Sequence, residues 1–135
     1  MVDYVAILTK NPVGVFATQD GTKVKTRVFQ YLFADGNKVY FCTNSEKPVY
    51  KQLQVNPYAS FCVYTQDFAP VLSVNGKTVF VEDMALKTKA LDENPPIKSI
   101  YNTPENPVFK VFYLDVEEIE TFSFQEGPKT YSGGF

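Results

Sequence analysis

Thirteen cationic side chains include a single arginine, Arg27, and the chain has no histidine. The missing histidine removes His-based acid–base catalysis, Ser–His and Cys–His nucleophile pairs, and axial-histidine haem from the available chemistry. Arg27 has two readings: an ordinary surface arginine, or a place that needs a planar, permanently charged fork. A second feature is Val39–Leu53, VYFCTNSEKPVYKQL. It opens as an apolar strand, passes through Thr43, Asn44, Ser45 and Glu46 to Lys47, and enters a short helix near Pro48. Hydroxyls, an amide and a lysine at a helix start make a cradle for an anion, because first-turn N–H groups are unpaired and the helix dipole is positive there. The local alternative is that Ser45 or Glu46 is simply a helix cap and Lys47 a solvated surface lysine.

The elements that must position these residues read mostly as strands. Val2–Thr9 has weak helical spacing and is stopped by Asn11-Pro12. Val13–Thr18 is a short apolar strand, and Asp20-Gly21 marks a tight hairpin. Lys23–Phe33 reads as one long strand. Its even positions (Val24, Thr26, Val28, Gln30, Leu32) suit a barrel interior, and its odd positions set Lys23, Lys25, Arg27, Phe29, Tyr31 and Phe33 along an outward stripe. Arginine and aromatics on an outward stripe suggest a ligand or subunit contact. Phe29 and Tyr31 also fit as subunit-interface aromatics that touch no ligand.

Ala34–Asn37 is a second hairpin turn, Pro48–Gln54 a helix with Val49 and Leu53 on its core side, and Tyr58–Thr65 a strand. Within Pro70–Val81, Asn75-Gly76 allows either a hairpin or a bulge in one long strand. Asp83–Glu93 favours a helix, Ile97–Tyr101 one further turn, Val108–Thr121 a long strand continued by Phe122–Phe124, and Gly127–Phe135 a polar tail. The expectation is one mainly β, antiparallel barrel-like domain spanning residues 1–135, with small helices and residues 129–135 as its tail.

Composition narrows the partners. With 135 residues, 44% of them hydrophobic and 16% aromatic, the chain can build one packed core. A net charge of −2 without a basic run speaks against nucleic acid, which needs clustered cations. Cys42 and Cys62 lie in apolar runs, do not make a zinc site without further ligands, and read as buried free thiols. No opening stretch resembles a signal peptide and no apolar run reaches membrane-spanning length, so a cytoplasmic protein is expected.

With these residues placed, the chain resembles the pyridoxamine 5′-phosphate oxidase-like family of FMN-binding split barrels. The likeness runs from about Val2 to Phe124 and rests on NPVGVFAT, KTRVFQY, YFCTNSEKPVYKQLQVNP and NPVFKVFYL in that order. It implies a six- to seven-stranded Greek-key split barrel and a homodimer with FMN at the subunit interface. It further implies that Arg27 and Lys47 hold the FMN phosphate, that Thr43, Asn44 and Ser45 add contacts, and that Val28, Phe29 and Gln30 line the ring. Tyr50 and Lys51 follow as weaker candidates. The chain departs from true pyridoxamine phosphate oxidases, which use further basic residues for their substrate, so vitamin B6 oxidation is not expected. An FMN-dependent oxidoreductase of unassigned substrate is the first expectation, with Thr130–Phe135 as a candidate rim of its mouth. A flavin-binding protein without turnover, for storage or electron relay, is the second, and a dimerisation domain that has lost its cofactor the third.

Overall fold

A computed structural model describes residues 2–133. Among them are α1 (Tyr4–Lys10), β1 (Val13–Asp20), β2 (Lys23–Gln30), β3 (Phe33–Asp35), β4 (Lys38–Asn44), α2 (Pro48–Val55), β5 (Tyr58–Tyr64), β6 (Val71–Val81), α3 (Met84–Asp92), α4 (Pro95–Tyr101), β7 (Phe109–Ser123) and β8 (Gly127–Ser132). All of these strands join one antiparallel sheet in the order β2-β1-β5-β6-β7-β4-β3, with β8 added to β7. The β1–β2 hairpin closes through Gly21-Thr22, where Gly21 takes φ +63°. A residue bearing a side chain is disfavoured there by about 1–2 kcal/mol. Helix α2 then carries the chain from β4 across to β5, which pairs with β1.

The fold is a mainly β split barrel. The sheet curls around its core, but its end strands β2 and β3 do not pair with each other, so the barrel is not closed. Inside the curl, Phe16, Phe41, Phe61 and Phe112 are fully buried, with ring centroids 4.8–6.2 Å apart. Each such ring contributes about 1.5–3 kcal/mol through burial. Helix α2 seats Val49 and Leu53 on this cluster, an i,i+4 pair on one helix face. On the opposite side of the sheet, Phe33, Tyr40, Phe109 and Val111 pack with Ala90 and Leu91 of α3 and Tyr101 of α4.

Three local readings change. Lys23–Phe33 is not one strand: β2 ends at Gln30, and Tyr31 and Leu32 lead into β3. Its faces are also reversed. Val24 and Val28 are 70% and 67% exposed, whereas Tyr31 is buried and Phe29 packs against the core. The cause is β1: Arg27 lies directly opposite Phe16, residues opposite in an antiparallel pair share a face, and Phe16 is at the centre of the core. Gly127–Ser132, read as polar tail, forms β8.

Asn75-Gly76 is not a hairpin: β6 runs straight through it, and the bulge lies opposite, in β7. Asn75 opposes Glu118 and Gly76 opposes Val116, leaving Glu117 as the extra residue. A Cβ on Gly76 would sit 1.9 Å from the Asp115 carbonyl oxygen, so backbone must move to admit it. Gly76→Ala should therefore destabilise the fold by at least about 1–3 kcal/mol in urea unfolding. A midpoint unchanged from the parent protein would show that the bulge accepts a side chain.

Candidate functional site

Among the described residues β2 pairs only with β1, which leaves its other edge open, and the start of α2 lies beside it. Between them runs a groove of about 410 Å³ lined by Lys25, Thr26, Arg27, Val28, Phe29, Lys47, Pro48, Val49 and Gln52. Arg27 is half-buried in its wall. Its Nη1 donates to the Phe16 carbonyl oxygen at 3.0 Å and to Thr18 Oγ1 at 2.8 Å, and its Nη2 donates to Gln52 Oε1 at 2.8 Å. Among the described residues no carboxylate lies within ion-pair distance of it. Burial alone pulls the guanidinium below its ordinary pKa, with no opposing carboxylate to hold it up.

Lys47 is the N-cap residue of α2, followed by Pro48 at the first helical position, and no side chain caps the helix. Pro48 has no N–H and the Tyr50 N–H donates to the Lys47 carbonyl, so the start of α2 turns a lysine and one backbone donor, the Val49 N–H, toward the groove that holds Arg27. Neither Ser45 nor Glu46 is the cap. The turn before the helix is held otherwise: Asn44 Oδ1 accepts from the Glu46 N–H, the Ser45 N–H donates to the Val108 carbonyl, and the Lys47 N–H donates to the Asn44 carbonyl.

Of the sequence-selected residues, Arg27, Val28, Phe29 and Lys47 meet at the groove, and Thr43, Asn44, Ser45, Gln30 and Tyr50 are not in its lining. Thr43 alternates with Phe41 on the side of β4 that packs α2, and its hydroxyl is buried without a hydrogen-bond partner. Gln30 donates from Nε2 to Asn94 Oδ1 at 3.3 Å, and the Tyr50 ring packs edge-on against Phe80. Thr130–Ser132 belong to β8, where Tyr131 lines a separate cleft with Val2, Ile7 and Pro70; residues 134–135 of the candidate rim lie outside the described residues.

Sequence reasoning missed Thr18 and Gln52, although both contact Arg27. Partial signals exist. Thr18 is two residues from Phe16, hence on the same face of β1, and Gln52 follows Val49 by three, hence beside the buried stripe of α2. A larger cleft of about 590 Å³, walled by Tyr58, Ser60, Asn75, Glu117 and Glu118 among others, has no cation in its lining and so does not suit an anion.

These placements meet a matching set of relatives. The sequence matches the pyridoxamine 5′-phosphate oxidase family over residues 3–123, and the chain belongs to that family. No curated protein matches it. Among solved structures, a NimC/NimA family protein from Clostridium acetobutylicum superposes with a TM-score of 0.85 at 24% identity, covering 96% of this chain and 90% of that one. A pyridoxamine 5′-phosphate oxidase-related, FMN binding protein from Nostoc punctiforme gives 0.62 at 14%, covering 96% and 91%. A heme binding protein from Mycobacterium smegmatis gives 0.76 at 16%, covering 93% of this chain and 55% of its own.

Nucleophile and metal chemistry find little support nearby. Among the described residues no cluster of His, Cys, Asp and Glu could hold a metal ion, and no helix is long and apolar enough to cross a membrane. Burial pushes the Cys42 thiol up to about 12 against the weaker opposing pull of Lys47, so it carries no thiolate at neutral pH. Burial, then Cys42, likewise raises the Tyr101 hydroxyl to about 12. Both groups hold their protons longer folded than unfolded. Their contribution to stability is therefore full below the ordinary thiol value of 9.0 and is lost as pH climbs toward about 12. Urea midpoints should be flat from about pH 7 to about 8.5 and fall above about pH 9, with Cys42 unalkylated by iodoacetamide at about pH 8. Rapid native alkylation of Cys42 would contradict the buried-thiol assignment.

Proposed function

We propose that this protein is an FMN-binding flavoprotein acting as an oxidoreductase, working as a cytoplasmic homodimer whose two free thiols suit a reducing compartment. The observation that carries the reading is Arg27, a half-buried cation with no carboxylate beside it among the described residues, in a groove that also receives Lys47 and the uncapped start of α2. A phosphate dianion supplies the missing negative charge, and a guanidinium meets it with paired, charge-assisted hydrogen bonds. The groove volume falls within the range of small-ligand sites. Val28, Phe29 and Val49 give an apolar wall for a planar ring, and the open edge of β2 offers backbone N–H and C=O groups to a ring's polar rim.

Bound FMN would supply hydride and electron transfer, and the protein would position it and set the polarity around it. Among the described residues the groove lining holds no carboxylate, thiol or imidazole, so protons for a reduced substrate come from solvent, from a substrate group or from Lys25 and Lys47. Haem is disfavoured as the ligand because the chain has no histidine to ligate its iron.

The second copy would cover the outer face of β1 and β2, where Val13, Val15, Val24 and Val28 are exposed side by side beside Tyr58 and Tyr64 of β5. Val15→Lys should shift the protein from dimer to monomer in light scattering; a dimer of undiminished stability would place the interface elsewhere.

Arg27→Ala should weaken FMN binding by about tenfold to a hundredfold while changing riboflavin, which lacks the phosphate, far less. Flavin fluorescence quenching measures both. Equal losses for the two ligands would remove Arg27 from the phosphate site. Sustained NADH or NADPH oxidation with an added acceptor separates an enzyme from a flavin-binding protein without turnover.

A further inference from the structure

We infer that Gln52 and Thr18 are positioning residues that aim the Arg27 guanidinium at the groove through neutral acceptors, fixing its fork without cancelling its charge. This rests on the proposal that the groove takes a phosphate-bearing flavin. The geometry is a closed ring. Arg27 Nη1 donates to Thr18 Oγ1 at 2.8 Å, the Thr18 hydroxyl donates to Gln52 Oε1 at 2.7 Å, and Arg27 Nη2 donates to the same Oε1 at 2.8 Å. The Phe16 carbonyl accepts a further Nη1–H at 3.0 Å.

Arginine only donates, so Gln52 must present its amide oxygen to it, and the orientation of the amide is settled by chemistry. Three of the five guanidinium N–H groups are used this way. The remaining two sit on Nε and Nη2, which are adjacent on the fork and spaced for two oxygens of one phosphate. Thr18 is almost fully buried, and Arg27 and Gln52 are half-buried, so water competes weakly for these bonds.

Charge is the telling detail. Every acceptor on Arg27 is neutral: a carbonyl, a hydroxyl and an amide. A glutamate at position 52 has the same shape and would make stronger bonds, but it would form an ion pair with Arg27 and leave little net charge for an incoming anion. A neutral glutamine gives up strength within the protein and keeps the cation available.

The test compares FMN and riboflavin affinities of the full chain by fluorescence quenching, with circular dichroism to verify folding. Gln52→Glu should weaken FMN by about tenfold or more and leave riboflavin within about twofold. Thr18→Val should weaken FMN selectively but by less, and Thr18→Ser, which keeps the hydroxyl, should restore the parent FMN-to-riboflavin ratio. Arg27→Ala is the reference. If it is FMN-selective while a folded Gln52→Glu keeps parent FMN affinity, or loses both ligands equally, the positioning role is overturned and the phosphate site stands. Should Gln52→Glu not fold, a Thr18→Val ratio equal to that of the parent overturns the role by itself. An Arg27→Ala variant that loses both ligands equally overturns the phosphate site and this role together.

Discussion

A half-buried guanidinium with no counter-charge among the described residues is the constraint around which β1, β2 and α2 are arranged. Burying a charge is costly unless its hydrogen bonds are replaced, and Arg27 has them replaced from two directions: by the Phe16 carbonyl and Thr18 of β1 and by Gln52 of α2. Gln52 is in place only if α2 is seated, and α2 is seated by Val49 and Leu53 on the core built around Phe41. The polar ring at the groove therefore depends on the aromatic core beneath it. Phe16 links the two, with its backbone bonded to Arg27 and its ring stacked on Phe29 at 4.9 Å.

Local chemistry made much of the fold legible. Asp-Gly at the first hairpin, Pro48 at a helix start and Asn56-Pro57 at its end each act within a few residues, and α2 and β5 lie where these signals place them. The orientation of β2 was not legible. Both of its faces carry apolar residues, and the choice between them was made by β1, whose Phe16 takes the buried side. Asn75-Gly76 has the same two letters in a hairpin and in a bulge; only the strand opposite, with Glu117 left over, decides between them. For the candidate groove, Arg27 and Lys47 stood out by charge and position. Gln52 did not, because its partners are 25 and 34 residues away and a glutamine on a helix advertises nothing by itself.

Family membership supplies the scaffold, not the ligand. The same fold serves an FMN binding protein in one neighbour and a heme binding protein in another, so what a given chain binds is written in side chains rather than strand order. In this chain the writing is sparse: one arginine, no histidine, and a groove whose Gln52 is occupied in holding the arginine.

The open edge of β2 has a consequence for handling and evolution alike. An unpaired strand edge invites extension by any passing strand, which is how sheets polymerise. Here the free edge faces the groove, so whatever seats there also acts as a stopper against strand addition. Under the proposed function, ligand supply and colloidal behaviour would be coupled traits, because the residues that would bind the ligand lie along the same strand as the open edge. A lineage abandoning its ligand would have to blunt that edge by other means.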